Sequence, residues 1–282
     1  MFRWLTGETS APLFKRPYGV AWYGEDLLVT DPGAQQVLKI SPDGRVVTSA
    51  ASVVEDPIGV AVCLGAILVT EGRTGRVALL DRDLRRVKWL AEDLDRPTGI
   101  TCAGEKAVVV ETGAHRLAIF GRDGSRTNLG ERGVSLGQFN FPTSATVSTD
   151  SPSAVWVGDT LNFRVQKLGF DGGSLRVFGT AGDSPGDMPR IKGIAIDSDG
   201  DVWISDAQLD QVAIYSPTGE FLMDLGRTGI EPGEFRFPAG LASRGRRVAV
   251  ADSLNARVQI FRVLTRDERN DIENKERRKP SR

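Results

Sequence analysis

Six acids recur at one place along the chain: Asp31, Glu71, Glu111, Asp159, Asp206 and Asp252. Carboxylates that converge within about 5–10 Å can share acid–base work at a reacting bond. These acids each end a hydrophobic run instead. Five residues later comes a polar residue followed by an aliphatic one, as in Gln36-Val37, Arg164-Val165 and Arg257-Val258. That spacing assigns one acid to the same turn of every repeated unit, where a carboxylate accepts backbone N–H bonds. Arg164 and Arg257 have the guanidinium fork that suits a bridge to such a carboxylate. Asn162 and Asn255 fit left-handed or Asx turns. His115 is the only histidine. Zinc needs three or four ligands converging at about 2 Å, so His115 is expected to be a turn or surface residue. No Gly-x-Ser-x-Gly elbow, phosphate-binding loop or Cys-x-x-Cys occurs. The residues therefore point to no catalytic group, no metal site and no cofactor.

Cys63 and Cys102 are the two cysteines. They fall in neighbouring repeats, one register step apart, at Gly59+4 and Gly99+3. Alternation puts them on opposite strand faces. The expectation is two small buried thiols and no disulfide.

These residues need elements to hold them. A strand opens at Gly19, Gly59, Gly99, Ser144, Gly193 and Gly240, at steps of 40, 40, 45, 49 and 47 residues. Pro17, Pro57, Pro97, Pro142 and Pro238 stand two places earlier, and Ile191 takes that place in the fifth unit. Each unit has room for four short strands and their turns but none for a crossover helix. The 32 Gly and 14 Pro suit a turn-rich β protein. The fold class expected is an all-β, six-bladed β-propeller with four-stranded antiparallel blades. The sixth unit lacks a last strand, and Phe2-Arg3-Trp4-Leu5 resembles the last strands of other units. The N-terminal strand is thus expected to complete the last blade, which leaves no open edge. Phe14, Phe139, Met188 and Phe235, each three before the anchor, are expected to be wedges between blades. The propeller is expected over residues 1–265. Residues 266–282, with seven basic and five acidic side chains, read as a charged mobile tail.

Asp159-Thr160-Leu161-Asn162-Phe163-Arg164-Val165-Gln166 and Asp252-Ser253-Leu254-Asn255-Ala256-Arg257-Val258-Gln259 resemble the core motif of NHL-repeat proteins. Gly186-Asp187-Met188 and Gly233-Glu234-Phe235 are similar to the loop that precedes each blade in that family. The resemblance covers most of the chain and extends to bacterial six-bladed members without assigned activity. It implies an exported or periplasmic protein, although the chain shows no signal-peptide core. An amidating lyase with a related fold holds zinc through several histidines, a set this chain lacks. Related lactonase-like propellers hold calcium with inward acids. The matching channel positions here are Tyr18, Ile58, Thr98, Thr143, Lys192 and Ala239, with no carboxylate.

Loops before the first strand and between the second and third strands share one face. Arg16, Tyr18, Arg73, Arg96, Thr98, His115, Phe141, Phe163, Lys192 and Phe237 are the candidate contacts there. Arg and aromatic residues are enriched at interfaces. The expected function is a monomeric, non-catalytic scaffold for a protein or peptide. The alternatives are a hydrolase- or lyase-like enzyme with a channel site, or single-stranded RNA binding through Arg16, Arg96, Arg190, Lys192, Arg236 and the nearby Phe rings. A formal charge of −1 gives no global attraction to nucleic acid, and no apolar run is long enough to span a membrane.

Overall fold

The structure is a computed structural model that describes residues 3–5, 13–51, 53–147, 154–264 and 268. The described strands form six antiparallel sheets of four. Five sheets are built from consecutive strands. In the sixth, Arg3–Leu5 lies beside Arg257–Arg262, with Arg3 opposite Ile260, Trp4 opposite Gln259 and Leu5 opposite Val258. The ring is therefore closed by the N-terminal strand, as the repeat count requires. Phe2, expected in the same strand, lies outside the described residues, as does the expected tail apart from Glu268. No helix among the described residues is long and apolar enough to cross a membrane.

The repeated glycine follows from how tightly the innermost strands approach one another. A Cβ on Gly59 would overlap the Thr98 carbonyl oxygen, and one on Gly19 would overlap that of Ile58. The strands are also stitched across blades by hydroxyls. Thr30 Oγ1 donates to the Ile58 carbonyl at 2.6 Å and Thr70 Oγ1 to the Thr98 carbonyl at 2.5 Å.

Hydrophobic cores sit between blades, so each contains residues of two neighbouring sheets. Phe14 joins Val20 and Leu27 of blade 1 to Ala249 and Val258 of blade 6. Phe139, Met188 and Phe235 occupy the same place in three other seams and are fully buried. Val54 and Leu94 fill it in the remaining two. Those two were not legible as wedges, because an ordinary aliphatic in a loop carries no distinctive type.

Cys63 and Cys102 form a disulfide, with Cα atoms 5.3 Å apart, contrary to the sequence expectation. The opposite-face reasoning holds, but its consequence reverses between sheets. Neighbouring blades pack one sheet's front against the next sheet's back, so residues of opposite parity look at each other. The bridge joins the innermost strands of blades 2 and 3, Pro57–Cys63 and Pro97–Ala103. Closing a 39-residue separation constrains the unfolded chain. Its removal in Cys63→Ser/Cys102→Ser is expected to cost about 2–4 kcal/mol. A denaturation midpoint that is equal in the variant and the parent would contradict this.

Candidate functional site

All six recurring acids are fully buried, and each ties the turn beside it to the loop ahead of its blade. Asp31 accepts the backbone N–H groups of Lys15 and Arg16 at 2.7 and 2.9 Å. Glu111 accepts that of Asp95 at 3.1 Å, and Asp206 that of Arg190 at 2.6 Å. Side chains add to this in blades 2, 3, 4 and 6: Glu71 accepts Thr74 Oγ1 and Arg76 Nε, and Glu111 accepts Arg116 Nε. Asp159 accepts Arg164 Nε, Asn162 Nδ2 and Gln166 Nε2. Asp252 accepts Arg257 Nε, Asn255 Nδ2 and Gln259 Nε2. The acids thus do structural work. Asn162 and Asn255 brace the turn, while the left-handed residues are the following Phe163 and Ala256.

That staple decides what the face presents, because the loops it holds carry the cations. Arg16, Arg96 and Arg190 each stand one residue before the anchor, on loops pinned by Asp31, Glu111 and Asp206. Arg96 (φ 49°), Phe141 (φ 49°) and Phe237 (φ 56°) precede prolines and have left-handed backbones. Non-glycine residues there cost about 1–3 kcal/mol each and cluster at functional surfaces. Gln35, His115, Phe163, Asp210 and Ala256 are left-handed at a second repeated position, four residues after the buried acid.

The loops of blades 3, 4 and 5 enclose a cavity of about 480 Å³. Arg96, Arg190, Lys192, Phe141 and Phe163 line it, with Thr143 and Thr160 at its base. Lys192 and Thr143 also line the narrow central channel, together with Tyr18 and Thr98, so the cavity opens onto the channel mouth. Arg96 lies over the Phe141 ring, 5.2 Å from its centroid, within cation–π range. Lys192 Nζ is 6.0 Å from the centroid of the Phe237 ring. The Thr98 and Thr112 hydroxyls share a 2.7 Å hydrogen bond, and those of Thr143 and Thr160 one of 2.8 Å.

Burial holds the Lys192 ammonium below its ordinary value, and the Arg190 and Arg96 charges push it further down. The Asp206 carboxylate opposes them. Burial pushes the Tyr18 phenol up to about 12, against the fields of Arg16 and Arg190. At neutral pH Tyr18 is therefore a hydrogen-bond donor.

The candidate contacts divide accordingly. Tyr18, Arg96, Thr98, Phe141, Phe163 and Lys192 come together at the channel mouth, with Phe237 beside Lys192 and Arg16 within electrostatic reach of Tyr18. Arg73 does not belong, being exposed and ion-paired to Glu55 at 3.2 Å. His115 is buried behind the cavity wall, stacked edge-on to Phe141 at 4.4 Å between centroids. Its Nδ1 accepts the Phe141 N–H at 3.1 Å and its ring also bonds the Phe139 backbone. Burial, followed by the Arg132 charge, lowers its pKa, so it is neutral and committed to the backbone. Arg190, named from the sequence only as a possible phosphate contact, belongs at the centre. Its signal was the arginine just before the anchor, shared with Arg16 and Arg96. No group of three or more His, Cys, Asp or Glu among the described residues is placed to hold a metal ion.

No family model matches the chain, and no curated protein matches it. Solved structures do. A streptogramin B lyase superposes with a TM-score of 0.67 at 15% identity, over 92% of this chain and 96% of that one. A catalytically inactive histidine-to-alanine variant of virginiamycin B lyase from Staphylococcus aureus, solved with quinupristin, gives 0.66 at 15% identity over 94% and 99%. A gluconolactonase from Xanthomonas campestris gives 0.68 at 16% identity over 93% and 89%. At this identity the likeness establishes the fold. It also corrects two expectations from the sequence. Membership of the NHL-repeat family is not upheld, since no family model matches and the propellers that superpose on the chain include streptogramin-type lyases and a gluconolactonase. The non-catalytic protein- or peptide-binding scaffold loses its basis for the same reason, because near-full-length neighbours are enzymes.

Proposed function

We propose that the protein is an enzyme of lyase or hydrolase type whose active site is the mouth of the central channel. Lys192 is its proton-transferring group, and Arg96 and Arg190 stabilise negative charge that develops on the substrate. The observation that carries this reading is the position of the Lys192 amine. It is half-buried where cavity and channel meet, it lies between two arginines, and no salt bridge to it is found among the described residues. A lysine so placed gives up its proton more readily than one in water, and the free amine is a competent general base. Fixed guanidinium charges aimed at the same space lower the energy of an oxyanion without reorganising during the reaction. Tyr18 adds a neutral donor on the channel side.

The neighbours named as lyases and as a gluconolactonase support this choice of reaction class. The detailed chemistry must differ from that of the lyase that a histidine-to-alanine change inactivates. The single histidine here, His115, is held by backbone groups behind the wall.

Purified protein incubated with lactones and cyclic depsipeptides, each with and without a carboxylate or phosphate substituent, tests the reading. Hydrolysis would release acid, and elimination would create an ultraviolet-absorbing double bond. Turnover is expected, with a rate that rises with pH through the lowered Lys192 value and levels off below 10.5, lysine's ordinary value. The groups setting that limb are Arg190 and Arg96, which lower it, and Asp206, which raises it. No turnover across the panel, or a rate limb at or above lysine's ordinary value, would overturn the proposal.

A further inference from the structure

We infer that the channel-mouth site takes a small molecule with an anionic group, a carboxylate or a phosphate, seated against Arg96 and Arg190, with its apolar body against Phe141, Phe163 and Leu161 and its reacting part toward Lys192. This rests on the reading of the mouth as the active site and adds the substrate class.

The first ground is the distribution of charge. Several arginines elsewhere on the described surface are ion-paired, whereas Arg85, Arg86, Arg132, Arg176 and Arg236 make no salt bridge among the described residues. Arg45 meets Asp43, Arg73 meets Glu55, Arg122 meets Glu105, Arg126 meets Asp93 and Arg227 meets Glu234, all within 3.2 Å. The chain as a whole has a formal charge of only −1. Three cations whose side chains make no salt bridge nevertheless collect around one cavity, and no carboxylate is among its lining residues. Like charges held together repel, and an anion relieves that repulsion. Asp206 does not serve as their counter-ion from within the cavity. It is fully buried, and its two oxygens accept the backbone N–H groups of Arg190, Gln208 and Leu209 at 2.6, 2.8 and 2.9 Å.

The second ground is shape. Arg96 lies within cation–π range of Phe141, 5.2 Å from the ring centroid, and its guanidinium is of the type that bonds a carboxylate or phosphate through two N–H groups. A volume of about 480 Å³ suits a small molecule rather than a polymer. Single-stranded RNA would instead need a charged groove that continues past the cavity. On the blade 2 side of the cavity, Arg73 is already paired with Glu55.

Calorimetric titration with benzoate, its neutral counterpart benzamide, and inorganic phosphate tests the inference. Benzoate or phosphate should bind the parent protein, with benzamide much weaker than benzoate. The stronger of the two anions identifies the headgroup. Arg96→Gln and Arg190→Gln should each weaken the bound anion about ten- to a hundredfold, the range of one charge-assisted hydrogen bond. Arg190→Lys should keep part of the affinity, and Arg73→Gln should change nothing. Thermal melts of each variant separate lost binding from lost folding. If an arginine variant fails to fold, the comparison of benzoate with benzamide on the parent still decides. Equal affinity for benzoate and benzamide with no phosphate binding would overturn the inference. So would anion binding that survives both arginine changes, or a single-stranded oligonucleotide bound more tightly than either small anion. Anion binding without turnover of any lactone or depsipeptide would sink the enzymatic reading and leave this one standing. Turnover of neutral substrates without anion binding would do the reverse.

Discussion

Lys192→Met is expected to reduce kcat for the chain's substrate by about 10²–10⁴-fold, the usual contribution of a positioned acid–base group. Methionine keeps the length and apolar stem of the side chain but cannot carry a proton. The cavity is otherwise preserved, since Arg96 is held by Phe141 and Arg190 by its backbone bond to Asp206. KM should therefore change far less than kcat. Lys192→Arg should not rescue the rate, because a guanidinium stays protonated in the working range. The pH limb assigned to Lys192 should vanish from whatever activity remains. A merely structural lysine would behave differently: its loss would lower the melting temperature and leave the shape of the pH profile intact.

The second large effect concerns a residue whose type suggests chemistry and whose surroundings forbid it. Asp252→Ala is expected to destabilise the protein by about 3–5 kcal/mol, the cost of removing one partner from a buried charged pair. The carboxylate accepts Arg236 N, Asn255 Nδ2, Arg257 Nε and Gln259 Nε2, and both it and Arg257 are at most 8% exposed. Asp43→Ala makes the matching control. Asp43 is paired with Arg45 at 2.6 Å on the open surface, where water screens the pair, and its loss should leave the midpoint almost unchanged. Denaturant midpoints measure both. Equal losses in the two variants would show that the Asp252 network does not carry the blade.

The architecture was readable because closing a propeller imposes residues that repeat. Glycine recurs where one inner strand lies against the next strand's carbonyl, an acid recurs where a turn must be tied to a loop, and the missing last strand must be made up by the N-terminus. The site was readable only in part. Arg96, Lys192, Phe141 and Phe163 could be placed on the right face by register, but register does not say which loops converge. Arg73 and Arg96 stand on the same face in neighbouring units, yet Glu55 neutralises one, while the other makes no salt bridge among the described residues. His115 looked available, because neither its left-handed turn nor its bond to Phe141 has any mark in the sequence. The cysteines show the limit most clearly. Parity within one sheet was known, but which faces of two sheets meet depends on the ring.

The most direct test of the central claim needs no substrate. Trace labelling of amines with acetic anhydride across a pH series, read by peptide mass spectrometry, reports how readily the Lys192 amine loses its proton. The site described here predicts a labelling midpoint for Lys192 below lysine's ordinary value of 10.5, and protection when benzoate or phosphate is bound. A midpoint at or above that value, unaltered by either anion, would mean that the channel mouth is not an active site built around this lysine.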